Sequence, residues 1–283
     1  MGYSLDNSGS TTIVYSTSIN TKVAAYTGAH TLHVKSWGNG GAVCVADVAI
    51  VVVPDPLSKV PVDALAFKGI QAQSGWQYVN DSGTSGYAKG WMTLTKSPSI
   101  GGMSSREFAS QFTNGGGERY YRTFGANTWV SNFLYDGWVY IGGSSSGISN
   151  IELDMNQVTG NGQTVIYGFQ CDGWTSTWDY TVNAGSPWNP VDKWLHSSRY
   201  CNPRTWSTNA WHHVQISYSR DQYGAVTYKS VWMDGVQEDI WQTVPSSFAL
   251  GWGSSLLTNF QVDGYGSSGS STVYLGDLNV YAW

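Results

Sequence analysis

The stretch NIELDMNQ, residues 150–157, carries the clearest chemical pattern in the sequence. Side chains alternate between the two faces of a β-strand, so Glu152, Asp154 and Asn156 share one face and the apolar residues between them share the other. Neighbouring carboxylates repel each other, and a partly buried carboxylate needs a hydrogen-bonding partner. Such a row costs folding free energy, so we expect it only where its side chains have a function. We therefore predict that Glu152 and Asp154 are catalytic carboxylates and that Asn156 contacts the substrate.

A second polar row lies in LLTNFQVDG, residues 256–264. Asn259, Gln261 and Asp263 share one face of this predicted strand, opposite Phe260 and Val262. Two polar faces of this kind predict two strands that line one groove, and we assign all three polar residues to substrate binding.

The stretch YGFQCD, residues 167–172, adds Gln170 and Asp172 as predicted substrate-binding residues. Retaining glycosidases hold two carboxyl groups about 5 to 5.5 Å apart, and inverting ones hold them about 6.5 to 9.5 Å apart. Residues i and i+2 of a strand have Cα atoms roughly 6.5 Å apart, so residues 152 and 154 alone could reach the inverting distance. A second acid could instead come from a neighbouring strand, with Asp136, Asp172 and Asp263 as the candidates.

Aromatic side chains provide the second kind of sugar contact, because pyranose faces stack on indole and phenol rings. A loop-rich stretch from 171 to 206 contains five tryptophans and few aliphatic residues to pack them: Trp174, Trp178, Trp188, Trp194 and Trp206. We predict that some of these rings are exposed and that Trp174 and Trp178 contact the substrate. The alternative is a small satellite core beneath long loops.

Composition limits the class of protein. Charged residues form 12% of the 283 residues, about half of the usual share. The net charge is −5, without a basic cluster, so the sequence predicts no nucleic-acid partner. No run approaches the roughly 18 apolar residues of a membrane span, so no membrane insertion is predicted. A neutral, aromatic, turn-rich surface remains, and a polysaccharide is the predicted partner.

Short alternating runs separated by Gly, Ser and Asn turns predict an all-β sandwich. Residues 1–54 are predicted to form a small first β unit with strands in TIVYSTSI, HTLHVKSW and VCVADVAIVVV. This unit stops at the Pro-containing joint PDPLSKVP, residues 54–61, and residues 55–62 are predicted to be the linker. Residues 63–283 form the main domain, whose strands are longer and more aromatic. The fold class is therefore predicted to be all-β, a jelly-roll sandwich with a small N-terminal β unit.

The first unit resembles the C-terminal part of a bacterial immunoglobulin-like module, through GAHTLHVKSWGNGGAVCVADVAIVV. The match covers about 50 residues, and the unit is too short to include the opening strands of such a module. The resemblance therefore implies a unit that is incomplete or completed by another chain. His30 and His33 lie at strand positions, where we expect a structural role.

The main domain resembles concanavalin A-like lectin and glucanase domains. AWHHVQISYSRDQYGAVTYKSVWMDGVQ is similar to their W-H-H-V … Y-x-D-G hairpin, and LLTNFQVDG with VYLGDLNVYAW resembles the closing strands of glycoside hydrolase family 16, the laminarinases and lichenases. In that family's active strand the first Glu is the nucleophile and the following Asp assists it. The resemblance implies these roles for Glu152 and Asp154. At the family's acid position this sequence has Asn156 and then Gln157, and neither amide can donate a catalytic proton.

The remaining reactive side chains point to structure more than to catalysis. Cys171 and Cys201 could form a disulfide that closes a loop of about 30 residues; the alternative is two separate buried thiols. Cys44 is predicted to be a buried strand residue. No Cys or His cluster has zinc spacing, so no cofactor or metal ligand set is predicted, although a structural calcium ion at the Asp-Gly turns is an alternative. His212 or His213 could act as the base of a polysaccharide lyase.

These patterns predict an extracellular polysaccharide-active protein. The main hypothesis is an endo-acting glycoside hydrolase that cleaves a β-glucan-type chain in its groove. The alternatives are a lectin-like carbohydrate-binding module and, with less support, a lyase or a surface interaction protein. The N-terminus has no signal or transit peptide, so we expect the sequence to be a piece of a secreted protein. The type of polysaccharide, its linkage and the oligomeric state stay open.

Overall fold

The computed structural model describes residues 1–21, 23–52 and 54–283, and it divides into two compact units, Met1–Lys59 and Val60–Trp283. The division falls inside residues 55–62, the predicted linker. A single 3₁₀ turn, Pro56–Lys59, lies at the end of the first unit. None of the described helices is long and apolar enough to cross a membrane.

The first unit is one antiparallel sheet of four strands in the order β2-β1-β3-β4. Its strands are β1 (Gly2–Leu5), β2 (Thr12–Ile13), β3 (Gly28–Trp37) and β4 (Val43–Val52). The two long strands pair along their whole length. They match the predictions from HTLHVKSW and VCVADVAIVVV, whose last residue, Val53, lies outside the described residues. The resemblance to an immunoglobulin-like module stays a prediction.

Strand β4 is almost entirely exposed, although its sequence is apolar. Its only strand neighbour among the described residues is β3, and no second sheet of this unit covers either face. Cys44 lies in this strand and is exposed, so the prediction that it is a buried residue is wrong. The predicted alternation correctly indicates a strand, but a strand buries its side chains only where another layer packs on it.

The second unit contains seventeen of the described strands and two short 3₁₀ turns, Ile70–Ala72 and Pro203–Thr205. In chain order the strands are β5 (Leu65–Phe67), β6 (Gln77–Asn80), β7 (Tyr87–Ile100), β8 (Met103–Thr113), β9 (Gly117–Gly125), β10 (Asn132–Ile141), β11 (Ile148–Val158), β12 (Thr164–Tyr167), β13 (Phe169–Asp172), β14 (Thr177–Asn183), β15 (Asp192–Tyr200), β16 (Trp211–Arg220), β17 (Ala225–Met233), β18 (Val236–Pro245), β19 (Ser247–Phe248), β20 (Leu256–Gly264) and β21 (Ser268–Ala282).

These strands form two antiparallel sheets. The eight-stranded sheet has the order β18-β17-β16-β10-β21-β8-β7, with β5 beside β21. The nine-stranded sheet has the order β15-β14-β13-β11-β20-β9-β6, with β12 beside β11 and β19 beside β12. Strands β11 and β20 are neighbours although about 100 residues separate them in the chain. The two predicted polar rows therefore lie side by side.

One hydrophobic core between the sheets holds them together. Phe108 of the eight-stranded sheet contacts Phe260 of the nine-stranded sheet, with ring centroids 5.0 Å apart. The Tyr218 hydroxyl donates across the layers to the backbone oxygen of Leu153 at 3.1 Å. Both residues of each pair are almost fully buried. The predicted all-β sandwich is therefore confirmed as two stacked antiparallel sheets.

Candidate functional site

Three adjacent strands, β13, β11 and β20, place the predicted polar residues on one face of the nine-stranded sheet. In the register of these strands Glu152 lies between Gln170 and Gln261. Asp154 lies opposite Asn259. Because of this register, side chains from three separate sequence motifs form one continuous polar surface.

The alternation along β11 is as the sequence predicted. Ile151, Leu153 and Met155 are fully buried in the core, whereas Glu152 and Asp154 line a groove of about 870 Å³ on the opposite face. Both carboxyl groups lie at the floor of the groove, with 6% of each residue exposed. Further groove-lining residues come from at least five other strands and loops, among them Asp81, Arg119, Tyr121, Asn150, Asn156, Gln170, Thr181, Asp192, Trp194, Trp252, Asn259, Gln261 and Asp263.

Gln261 is the centre of the hydrogen-bond network at this floor. Its Nε2 lies 2.8 Å from Glu152 Oε1, 3.0 Å from Asp263 Oδ1 and 3.2 Å from Asp81 Oδ2. Its Oε1 accepts a hydrogen bond from Arg119 Nε at 3.0 Å, and Arg119 also forms a 2.5 Å ion pair with Asp81. One amide and one guanidinium therefore hold three carboxyl groups close together.

Asp154 is held by a different set of donors. Its Oδ1 accepts a hydrogen bond from the backbone N–H of Phe169 at 2.9 Å, and its Oδ2 accepts one from Asn259 Nδ2 at 3.0 Å. The carboxyl group therefore ties the start of β13 and the side of β20 to β11. This gives Asp154 a clear structural role within the groove.

Burial and mutual repulsion raise the pKa values of these acids. The pKa of Glu152 lies well above its usual value because of burial and then because of the charges of Asp154 and Asp263. Burial raises the pKa of Asp154 to about 7 and that of Asp263 to about 7. Near neutral pH the groove therefore contains protonated and ionised carboxyl groups together.

Aromatic rings lie at both ends of this polar floor. Trp252 precedes the start of β20 and lines the groove together with Trp194. At the other end, a second cavity of about 470 Å³ shares Thr84 and Asp263 with the groove and is lined by Trp174. Trp174 is 60% exposed and packs on Tyr265, with ring centroids 4.9 Å apart. The polar floor is thus bounded by surfaces on which a ring could stack.

Solved structures with a similar fold include proteins that bind carbohydrates. One comes from a study of the promiscuous specificity of carbohydrate-binding modules from the β-sandwich superfamily. It has a TM-score of 0.40 at 12% identity, with 98% of this chain and 82% of the other chain covered. The cellulose induced protein Cip1 has a TM-score of 0.44 at 14% identity, with 74% and 91% covered. Lectin II from Ulex europaeus has a TM-score of 0.40 at 12% identity, with 77% and 97% covered. No protein-family model and no curated protein sequence matches the chain.

Two residues predicted to bind substrate lie elsewhere. Trp178 is 1% exposed and stacks on Phe169 in the core, with ring centroids 5.3 Å apart, because it lies on the inner face of β14. Asp172 lies at the end of β13, where its carboxylate accepts hydrogen bonds from the Trp174 backbone N–H and the Thr175 hydroxyl. Asp172 therefore shapes the turn that carries Trp174 and is not part of the groove lining.

The five tryptophans of the loop-rich stretch do not behave as one group. Trp174 and Trp188 are exposed, Trp194 is half-buried beside the groove, and Trp178 and Trp206 are buried. The predicted disulfide is confirmed: Cys171 and Cys201 are bonded, with Cα atoms 5.2 Å apart. Part of the stretch therefore packs in the hydrophobic core of the sandwich, and part of it is exposed surface.

The other candidate acids and bases lie outside the groove. Asp136 is on β10 of the eight-stranded sheet, where it pairs with His213 at 2.6 Å, and His213 stacks on Trp138. His212 pairs with Asp234 at 2.8 Å. Gln157 turns inward and donates to the backbone oxygen of Val130 at 2.9 Å. Of the three acids considered as partners for Glu152, only Asp263 lies in the groove.

One group of side chains among the described residues has spacing suitable for a metal ion. Asp172, Asp179 and His196 each bring a ligand atom within 4.8 Å of the others. These atoms already have partners, since His196 Nδ1 lies 2.8 Å from Asp179 Oδ2 and Thr177 donates to Asp179 Oδ1 at 2.6 Å. The predicted alternative of calcium at Asp-Gly turns stays a prediction.

Sequence reasoning missed Asp81, Arg119 and Asp192. Asp81 lies in the loop after β6 and is the partner of Arg119. Arg119 alternates with the buried Tyr120 in GERYYRTFG, and this alternation is the signal that could have revealed it. Gly117 in the same strand is required by the site, because a side chain there would overlap the Asp263 carboxyl group.

Proposed function

We propose that the second unit binds a polysaccharide chain along the polar face of its nine-stranded sheet. The observation that carries this proposal is the combination of a long floor of hydrogen-bonding side chains with tryptophans at both ends. Sugar hydroxyls need amide and carboxyl partners, and pyranose faces need aromatic platforms. The groove offers Glu152, Asp154, Asn259 and Gln261 for the first purpose, and Trp174 in the adjoining cavity offers a ring for the second.

Holding the chain without cutting it is the function that the geometry supports best. At the position that the resemblance to glucanases gives to the catalytic acid, this chain has Asn156, which lies in the groove and does not titrate. Both oxygens of Asp154 are engaged in hydrogen bonds that fix neighbouring strands. These features suit a rigid binding surface and support a glycan-binding, lectin-like role. The Cys171–Cys201 disulfide supports a location outside the cell.

Hydrolysis is a second candidate function, favoured by one specific observation. Asp263 lies near Glu152 through their shared hydrogen-bond partner Gln261, and burial raises the pKa of Asp263 to about 7. A carboxyl group that stays protonated near neutral pH can act as a general acid. In this candidate mechanism one of these two acids would protonate the leaving oxygen, and the other, in its ionised form, would attack the anomeric carbon or activate water.

A polysaccharide panel tests both functions in one experiment. Depletion of the protein by insoluble or gel-embedded polysaccharides measures binding, and release of reducing ends measures cutting. We expect at least one glycan to be bound without release of reducing ends. The Trp174→Ala variant should bind that glycan about tenfold more weakly, since a stacking ring contributes on the order of 1 to 1.5 kcal/mol.

Trp241→Ala is the matched control, because Trp241 is 62% exposed, like Trp174, but lies on β18 of the other sheet. We expect the Trp241→Ala variant to bind the glycan as tightly as the wild type does. If no polysaccharide in the panel depletes the protein, or if both variants lose affinity equally, the proposed binding function is wrong. If reducing ends appear and Glu152→Gln abolishes their release, hydrolysis replaces binding as the function.

A further inference from the structure

The floor of the groove has far more acidic than basic groups. Among the described residues that line it, Arg119 is the single basic residue. Five residues carry carboxyl groups: Asp81, Glu152, Asp154, Asp192 and Asp263. The one guanidinium is already engaged, because it pairs with Asp81 and donates to Gln261. A negatively charged glycan, such as a polyuronate or a sulfated chain, would be repelled by those carboxyl groups of the floor that are ionised.

The floor also has more hydrogen-bond acceptors than donors. The Gln261 amide has two hydrogens, and three carboxyl oxygens lie within hydrogen-bond distance of its nitrogen. The Asn259 amide nitrogen is used by Asp154. The side-chain oxygens of Asn156 and Asn259 have no hydrogen-bond partner among the described residues, although both residues are more than nine-tenths buried. A ligand that completes this surface must bring donors.

We propose that the groove selects a glycan built of 2-amino sugars, whose ammonium groups meet the carboxyl groups of Glu152, Asp154 and Asp263. This inference rests on the proposed glycan-binding function and assigns its ligand class. An ammonium group supplies a positive charge and three donors, whereas a hydroxyl supplies one donor and no charge. The charge of the ammonium therefore matches the excess of acid, and its three donors match the excess of acceptors.

The protonation of the groove agrees with this assignment. Burial, followed by the charges of neighbouring acids, keeps the pKa of Glu152 well above its usual value. The groups that act on it are Asp154 from its own strand, Asp263 from β20, Arg119 from β9 and Asp81 from the loop after β6. A bound ammonium replaces this repulsion with attraction, so the acids ionise and the complex gains ion pairs.

Three tetrasaccharides with one backbone test the inference by titration calorimetry at pH 6. They are β-1,4-linked tetraglucosamine, its neutral N-acetylated form, and the corresponding uronate. We expect tetraglucosamine to bind at least about tenfold more tightly than the N-acetylated form, and the uronate not to bind measurably. The Glu152→Gln variant should lose about tenfold in affinity for tetraglucosamine and little for the neutral tetramer.

Asp63→Asn is the matched control, because it removes the same charge from an exposed position outside the groove lining. Its affinities should equal those of the wild type, which separates the groove from the overall charge of −5. Thermal unfolding of both variants checks that they are folded.

If tetraglucosamine does not bind, or if the neutral or uronate tetramer binds as tightly, the inference is wrong. Trp174-dependent binding of another glycan would then leave the proposed binding function standing, whereas a panel with no bound glycan would remove both.

Discussion

Strand β11 of the second unit and strand β4 of the first have similar lengths and many apolar residues, but their surroundings differ. Every residue of β11 is buried, because strands pair on both sides of it and the opposite sheet packs on its inner face. In β4 nearly every residue is exposed. Val51, for example, is 72% exposed, whereas Leu153 is fully buried.

The difference shows where the chemistry of this protein becomes possible. A carboxyl group changes its pKa and makes directed hydrogen bonds when neighbouring strands and a second layer limit its access to water. Glu152 and Asp154 have this environment, at 6% exposure, whereas Asp47 on β4 has a side chain that is 59% exposed. Carboxyl groups are therefore buried in the floor of the groove in one unit, whereas Asp47 of the other unit is largely exposed and pairs with His33.

The largest expected contrast between the units involves their cysteines. Replacing Cys171 and Cys201 by alanine removes a cross-link between residues 30 positions apart and should lower the free energy of unfolding of the second unit by about 3 to 4 kcal/mol. Urea unfolding followed by tryptophan fluorescence measures this change, because Trp37 is the single tryptophan of the first unit. Cys44→Ala is the control and should shift the free energy by less than about 0.5 kcal/mol. Equal effects of the two replacements would contradict the contrast.

A smaller contrast concerns a buried acid in the core of the second unit. Glu118 on β9 is 2% exposed, and its Oε2 has no partner among the described residues. Gly90 leaves room for it, since a Cβ at that position would overlap the Glu118 side chain. Burial raises the pKa of Glu118 from 4.5 to about 7. The folded state therefore binds this proton more tightly than the unfolded state does.

The sign of the pH dependence follows from this pKa. The contribution of Glu118 to stability is fully present below pH 4.5 and is lost as pH rises through about 7. Glu118→Gln should therefore be more stable than the wild type at pH 8, by about 2 to 3 kcal/mol, with a difference near zero at pH 4. Urea titrations at the two pH values measure this. A Glu118→Gln variant that is less stable than the wild type at pH 8 would overturn the assignment.

Local sequence patterns were sufficient to predict much of the fold. Alternation identified β11 and β20, and it assigned Leu153 and Phe260 to the core. The same reasoning failed for Cys44, because alternation and apolar character cannot tell whether a second layer covers a strand. That information depends on contacts between distant segments, which the local pattern does not contain.

The candidate site was predictable only in part, for the same reason. Glu152 and Gln261 were found from their own strands, but their pairing depends on a register between segments about 100 residues apart. Trp178 was assigned to the groove because its stretch is loop-rich, whereas β14 turns it into the core. Arg119, the single basic group at the floor among the described residues, became visible only when β9 was placed beside β20.

We propose that the groove of the second unit, and no other surface, binds the glycan. Two-dimensional NMR of the indole N–H groups tests it directly, because the chain has 15 tryptophans that report on different regions. On titration with the bound glycan we expect the signals of Trp174, Trp194 and Trp252 to shift, and those of Trp37 and Trp241 to stay in place. Shifts of Trp37 or Trp241 with unchanged groove signals would contradict the account.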